Sequence, residues 1–160
     1  MSFEGEVISI YIAPQRAVSM VKVDSVLAIA GQGLEGDRYA SGAGTFSGQP
    51  GTGREVTLIE AEAIESLERE YDVTLDAAES RRNLVTRGLP LNHLVGRAFR
   101  VGAVTLRGTR LCEPCGHLEQ LTRPGVRRGL VHRGGLRAEI VTGGVIRAGD
   151  AATTEVPSDG

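Results

Sequence analysis

Short runs rich in valine and isoleucine, each cut off by glycine or proline, constrain this chain more than any other feature. Glu6–Ala13 (EVISIYIA) reads as a buried strand ended by Pro14. Val18–Ala28 reads as a second strand, with Val21, Val23 and Leu27 on one face and Lys22 and Asp24 on the other. Glycine supplies 22 of the 160 residues, roughly twice the usual share of about 7%. So many turn-formers between β-branched runs predict a mainly β protein rather than a helical bundle. Aromatic residues are 4% with no tryptophan, so the core must come from Val, Leu, Ile and Ala.

The remaining elements follow the same rule. Glu55–Ile59 is a short strand leading into the clearest helix, Glu60–Tyr71. There Ile64, Leu67 and Tyr71 form an apolar stripe against Glu60, Glu62, Glu65, Glu68 and Arg69, an acidic face most simply read as solvated. Arg81-Arg82-Asn83-Leu84-Val85 enters a strand closed by Gly88 and Pro90; adjacent arginines in a strand point to opposite faces, so at most one can line a pocket. Ala98–Leu106 is a strand with a bulge or turn at Gly102, and Val126–Val131 a short helix. Arg137–Thr142 and Val145–Ala148 are strands joined by Gly143-Gly144, a hairpin signal, before Gly149-Asp150 turns into Ala151–Val156. The last four residues are expected to fray. Length and the lack of a linker predict one domain with its core at about 5–155.

Two glycine-rich stretches stand apart. Gly31-Gln32-Gly33-Leu34-Glu35-Gly36-Asp37-Arg38 has no helical pattern after it, so it reads as a structural turn presenting Asp37 and Arg38 rather than a dinucleotide loop. Tyr39–Gly53 contains five glycines and no periodicity, as a surface loop does, serving as a lid or as an insertion.

The chemistry points to Leu111–Leu118, which holds both cysteines as Cys112-Glu113-Pro114-Cys115. Pro114 suits the first position of a helix. Cys115 in the first helical turn would feel the positive end of the helix dipole, which favours thiolate, the nucleophilic and metal-binding form. Between Arg81 and Arg137 lie twelve arginines, no lysine and two acids, a balance of +10; a total of −2 leaves −12 elsewhere. Such a field predicts an anionic small-molecule ligand near the cysteines. It argues only weakly for nucleic acid, because the window's sole aromatic is Phe99 and single-strand binders interleave stacking rings. A zinc site could draw on Cys112, Cys115, His117 and His132, but this spacing is too compact for common fingers. A redox dithiol would want a βαβ context, which the sequence does not place around this motif. Two buried cysteines without a role also fit. With no charged-then-apolar leader and no apolar run near the ~20 residues of a membrane helix, the expectation is a cytoplasmic protein without membrane contact.

Taken together, Gly33–Arg38, Arg81-Arg82-Asn83, Glu113-Pro114-Cys115, Arg133-Gly134-Gly135 and Gly149-Asp150 resemble the MOSC domain, named for the C-terminal part of eukaryotic molybdenum-cofactor sulfurase. The resemblance spans essentially the whole chain and implies a stand-alone bacterial member. Its expected fold is a distorted β-barrel of the pyruvate-kinase-like barrel type with a few short helices. It implies that Cys115 carries sulfur as a persulfide, or ligates molybdenum of the pterin cofactor, in chemistry independent of pyridoxal phosphate in this chain. Cofactor-facing roles carry to Asp37, Arg38, Arg82, Asn83 and Arg133. The expected partners are a cysteine desulfurase or an electron-transfer protein. A molybdenum-dependent reductase of N-hydroxylated compounds and a non-catalytic zinc- or anion-binding module are the alternatives.

Overall fold

A computed structural model describes residues 3–14, 18–37, 55–113 and 116–154. The Tyr39–Gly53 loop, Arg38, Pro114, Cys115 and the terminal four residues lie outside the described residues. Eleven strands are described: β1 (Glu4–Ile12), β2 (Val21–Val23), β3 (Ser25–Ile29), β4 (Gly33–Leu34), β5 (Val56–Glu60), β6 (Leu84–Arg87), β7 (Ala98–Val101), β8 (Val104–Leu111), β9 (Leu136–Thr142), β10 (Gly144–Arg147) and β11 (Ala151–Thr153). The helices are α1 (Ala61–Tyr71), α2 (Gly116–Leu121) and α3 (Val126–Gly129), with 3-10 turns at Ala77–Ser80 and Leu91–Leu94.

Seven strands close a mixed barrel in the order β1-β11-β7-β8-β9-β5-β6, the last returning to β1. β2 continues the edge of β1 beyond β11, since Ile10 pairs with both Val23 and Leu84 while Glu6 pairs with both Ala151 and Arg87. β3, β4 and β10 make a separate three-stranded sheet. The protein is thus mainly β, as its glycine-punctuated runs predict. Closure also removes most free sheet edges.

The core needs no aromatic framework because one register row supplies five aliphatic side chains. Ile10, Leu84, Leu58, Leu136 and Leu111 are successive cross-strand partners around β1, β6, β5, β9 and β8. The first four are fully buried in the main core with Phe99. A second core lies outside the barrel wall, where Ile59 and Val85 on the opposite strand faces pack against Leu67 of α1, Leu118 of α2 and Val126 and Leu130 at α3. Alternation explains the division: Val56 and Leu58 face in, Ile59 faces the helices.

β5 and β6 run parallel, so their connection must cross over, and α1 with the Ala77–Ser80 turn makes it. This is a βαβ unit, but it precedes the cysteines in sequence rather than framing them. α1 follows Glu60, the last residue of β5, and ends where Asp72 adopts a left-handed conformation. Its buried face is Ala61, Ala63, Ser66 and Leu67; Tyr71 of the expected stripe is exposed.

Four expectations are corrected. Val18–Ala28 is two strands, broken at Asp24 where the chain leaves the barrel for the small sheet. That break resets the alternation, so Val26 and Ala28 are buried (7% and 2%) while Val21 and Leu27 are exposed (55% and 41%). The segments flanking Gly143 are no hairpin: β9 pairs with β5 and β8, β10 with β3. Gly143 instead allows close backbone passage, since a Cβ there would lie 2.6 Å from the Ala28 carbonyl oxygen. Arg81 and Arg82 precede β6, with Arg81 left-handed at the end of the 3-10 turn, so strand alternation does not govern them. Ala98–Leu106 is two strands, with Gly102 at φ +58° in the turn between them.

Candidate functional site

β8 ends at Leu111, and the ladder to β9 continues one step further through the Cys112 N–H, which donates to the Gly135 carbonyl at 2.7 Å. Gly135 must be glycine: it sits at φ +114°, and a Cβ would lie 2.1 Å from the Leu58 carbonyl oxygen. Arg82 reaches across to the same place. Its Nε donates to the Gly134 carbonyl at 2.7 Å and its Nη2 to the Cys112 carbonyl at 3.2 Å. Glu113 completes the network, its two oxygens accepting the His132 N–H (2.7 Å) and meeting His132 Nδ1 (2.9 Å). His132 is held left-handed at φ +62°, and its carbonyl accepts from Asn92 Nδ2 at 2.8 Å. Three sequence motifs, Arg82, Cys112-Glu113 and His132–Gly135, therefore meet in one bonded cluster. Cys112 itself is buried.

The other predicted residues are placed less like ligand contacts. Asn83 is fully buried: its Oδ1 accepts from the Thr57 N–H (3.0 Å) and hydroxyl (3.2 Å), and its Nδ2 donates to the Tyr11 carbonyl (3.0 Å). It stitches β1, β5 and β6 together where the parallel pair begins. Asp37 is buried as well, its Oδ1 accepting the Ala13 N–H at 2.9 Å. Arg133 is on the surface and pairs with Glu70 of α1 at 2.7 Å. Cys115 and Arg38 lie outside the described residues.

The arginine window changes character in three dimensions. Arg87, Arg107, Arg123 and Arg133 pair with Glu65, Glu139, Glu79 and Glu70, all acids outside the window. Arg81 donates to the Val18 carbonyl. Much of the sequence-level segregation of charge is thus cancelled by contacts across the fold. The anionic ligand expected from it remains a proposal resting on fewer cations than the sequence count implies.

Beside the cluster opens a cleft of about 400 Å³ between α1, the Leu91–Leu94 turn and the loop carrying His132 and Arg133. Glu60, Glu62, Ser66, Arg69, Asn92 and His93 also line it. Burial, and then the like charge of Glu62, push the Glu60 carboxyl above its ordinary range; the Leu91 N–H, Arg133 and His93 pull the other way. Sequence reading passed over this carboxylate because Glu60 shares a helix with exposed acids. The signal available was its position as the last residue of an inward-facing strand series after Val56 and Leu58.

Among the described residues no group of three His, Cys, Asp or Glu could hold a metal ion; of the four zinc ligands considered, Cys115 and the His117 side chain lie outside the described residues. No helix is long and apolar enough to cross a membrane.

Residues 43–153 match the MOSC domain. This chain belongs to the MOSC domain family. As a MOSC protein it shares its fold with the YuaD protein of Bacillus subtilis (15% identity, 96% of each chain covered, TM-score 0.81). It is similar in the same way to YiiM of Geobacillus stearothermophilus (15% identity, 98% of this chain and 77% of that one, TM-score 0.72). YiiM of Escherichia coli gives 20% identity over 99% and 72%, with a TM-score of 0.67. No curated protein sequence matches the chain. The family is linked to molybdenum-cofactor binding and sulfurase-like function. Tested against the described bonds, Arg82, Asn83 and Asp37 fit such a group as supports, because their polar atoms hold backbone. Arg69 and Arg133 line the cleft with guanidiniums of the kind an anionic cofactor group needs, Arg133 while also bonding Glu70.

Proposed function

We propose that this MOSC protein uses Cys115 as a persulfide-accepting thiol or as a molybdenum ligand of the pterin cofactor. The observation that carries the reading is the bonded cluster of Arg82, Cys112-Glu113 and His132–Gly135, which fixes the strand end leading into the Pro114-Cys115 motif. Family membership supports the cofactor class. Arg82 holds the Cys112 and Gly134 carbonyls, Asn83 and Asp37 hold the flanking strands, and Arg133, with Arg38 from the motif, supplies cationic contacts to the cofactor's phosphate. Bound there, molybdenum would supply two-electron redox chemistry.

As a carrier, Cys115 thiolate attacks the outer sulfur of a donor persulfide. The new S–S bond forms at Cys115, the old one breaks, and the donor cysteine leaves as thiolate. A cysteine desulfurase suits the donor role, and a cytoplasmic setting keeps the thiol reduced. Incubating the protein with a desulfurase and free cysteine, then labelling persulfides, tests this. Label on Cys115, absent in Cys115→Ser and retained in Cys112→Ser, is the expected result. A protein that takes up neither sulfur nor molybdopterin would refute it.

A further inference from the structure

One wall of the barrel carries its charge in an arrangement that does not serve the fold. On β7, Phe99 and Val101 are fully buried, which turns Ala98 and Arg100 outward. On β9, Leu136 and Ala138 are fully buried, which turns Arg137 and Glu139 outward. Strict alternation along β8 would put Arg107 and Arg110 on opposite faces. It does not, because the ladder slips between Gly108 and Arg110, leaving Thr109 as the extra residue of a bulge. Arg107 therefore stands opposite Glu139 and Arg110 opposite Arg137, all on the outer face. Like charges facing each other across a ladder are destabilising, so the bulge maintains a pairing that works against stability. The three strands hold four arginines, Arg100, Arg107, Arg110 and Arg137, and a single acid, Glu139, in a chain whose net charge is −2. That acid meets Arg107 only loosely, at 3.7 Å, with the two side chains 42% and 50% exposed. Helix α1 packs on β5 and β6, not on this wall.

The geometry points to the outer face of β7, β8 and β9 as a docking surface for an acidic segment of a partner protein. Guanidinium forks grip carboxylates bidentately, and register partners stand about 5 Å apart, so neighbouring carboxylates of one segment can bridge Arg110 and Arg137. The repulsion within that pair is then relieved by the guest. Arginines beside exposed apolar groups are enriched at protein interfaces, and Val141, the extra residue of a second bulge in β9, is 47% exposed. Nucleic acid fits less well, because the outward positions of these strands offer no aromatic ring for a base to stack on. The surface uses neither cysteine, so it goes beyond the sulfur or cofactor role of Cys115.

Fluorescence anisotropy of a labelled decaglutamate peptide, titrated with the full chain, tests the proposal. One-to-one binding is expected at low salt, weakened at least about tenfold in the double variant Arg107→Gln with Arg110→Gln. Both side chains are exposed, so this variant should fold as the wild type does, and its Tm checks that. Removing the same two charges from the exposed positions of α3, in Arg127→Gln with Arg128→Gln, should change the affinity by less than about twofold. Raising the salt from about 0.01 M to about 1 M shortens the Debye length from about 30 Å to about 3 Å and should abolish binding. No binding at low salt, equal affinity in the Arg107 and Arg110 variant, equal losses in both double variants, or tighter binding of a single-stranded decanucleotide than of the peptide would each overturn the proposal.

Discussion

Around Asn83 each polar end of the side chain meets a partner, with Thr57 on β5 and the Tyr11 carbonyl on β1. Three residues further along the chain, Thr86 on β6 has none, and Glu62 on α1 keeps one oxygen sealed and unbonded. Both regions bury polar atoms in one barrel wall, yet only the first has satisfied them internally. A saturated buried group works for the fold, because removing it orphans its partners; an unsaturated one costs the fold its desolvation without return. The difference reassigns residues that sequence alone places together. Asn83, Asp37 and Arg82 belong with the first kind, Thr86 and Glu62 with the second.

Breaking the saturated side should have the largest effect. Asn83→Ala strands the Thr57 N–H and the Tyr11 carbonyl, and is expected to cost about 3–4 kcal/mol in urea unfolding. A loss under about 1 kcal/mol would show that the network is not what holds β5 to β6. Arg82→Gln should cost about 2 kcal/mol and speed hydrogen exchange at 111–113 and 132–135, the segments it bridges. Lysine at position 82 should restore little, since one ammonium does not reproduce the fork.

Beside the unsaturated Glu62 the response should be opposite. Glu60 has its carboxyl raised, so the folded protein binds that proton more tightly than the unfolded chain. The stability this gives is present below the unfolded carboxylate range and lost as pH rises through the folded value. Glu60→Gln should therefore unfold at a higher temperature than wild type at neutral pH, by no more than about 2 °C, with the gap closing on acidification. A lower Tm at pH 7 would mean that Glu60 is satisfied by the fold. The smallest effect belongs to the exposed Glu65–Arg87 pair. The Arg87 hydrogen bond holds the Glu65 carboxyl below its usual range, so its contribution is present above the unfolded carboxylate range and fades as pH falls through the folded value. Thermal unfolding of Glu65→Gln should differ from wild type only at low salt, the difference vanishing near 1 M, where the Debye length is about 3 Å.

The strands and α1 are legible because their signal is local: β-branched runs, turn glycines and the α1 pattern each occupy a few adjacent residues, whereas closure into a barrel was expected only from the MOSC resemblance. What stayed hidden depends on pairing between distant segments. Nothing local marks Gly143 as the point where the chain changes sheets, because Gly-Gly signals a hairpin and a crossover equally well. The arginine window was legible as charge but not as field, since the neutralising glutamates lie elsewhere in sequence. Arg82 and Asn83 stand out in the sequence as members of the Arg81-Arg82-Asn83 motif. Their partners, Cys112, Gly134, Thr57 and Tyr11, are fixed only by the closed barrel.

The functional account rests on Cys115, and native mass spectrometry of protein purified from a host that makes the molybdenum cofactor addresses it most directly. Wild-type protein should carry added sulfur or bound molybdopterin, lost in Cys115→Ser and kept in Cys112→Ser. Bare wild-type protein, or an adduct that survives in Cys115→Ser, would contradict the account.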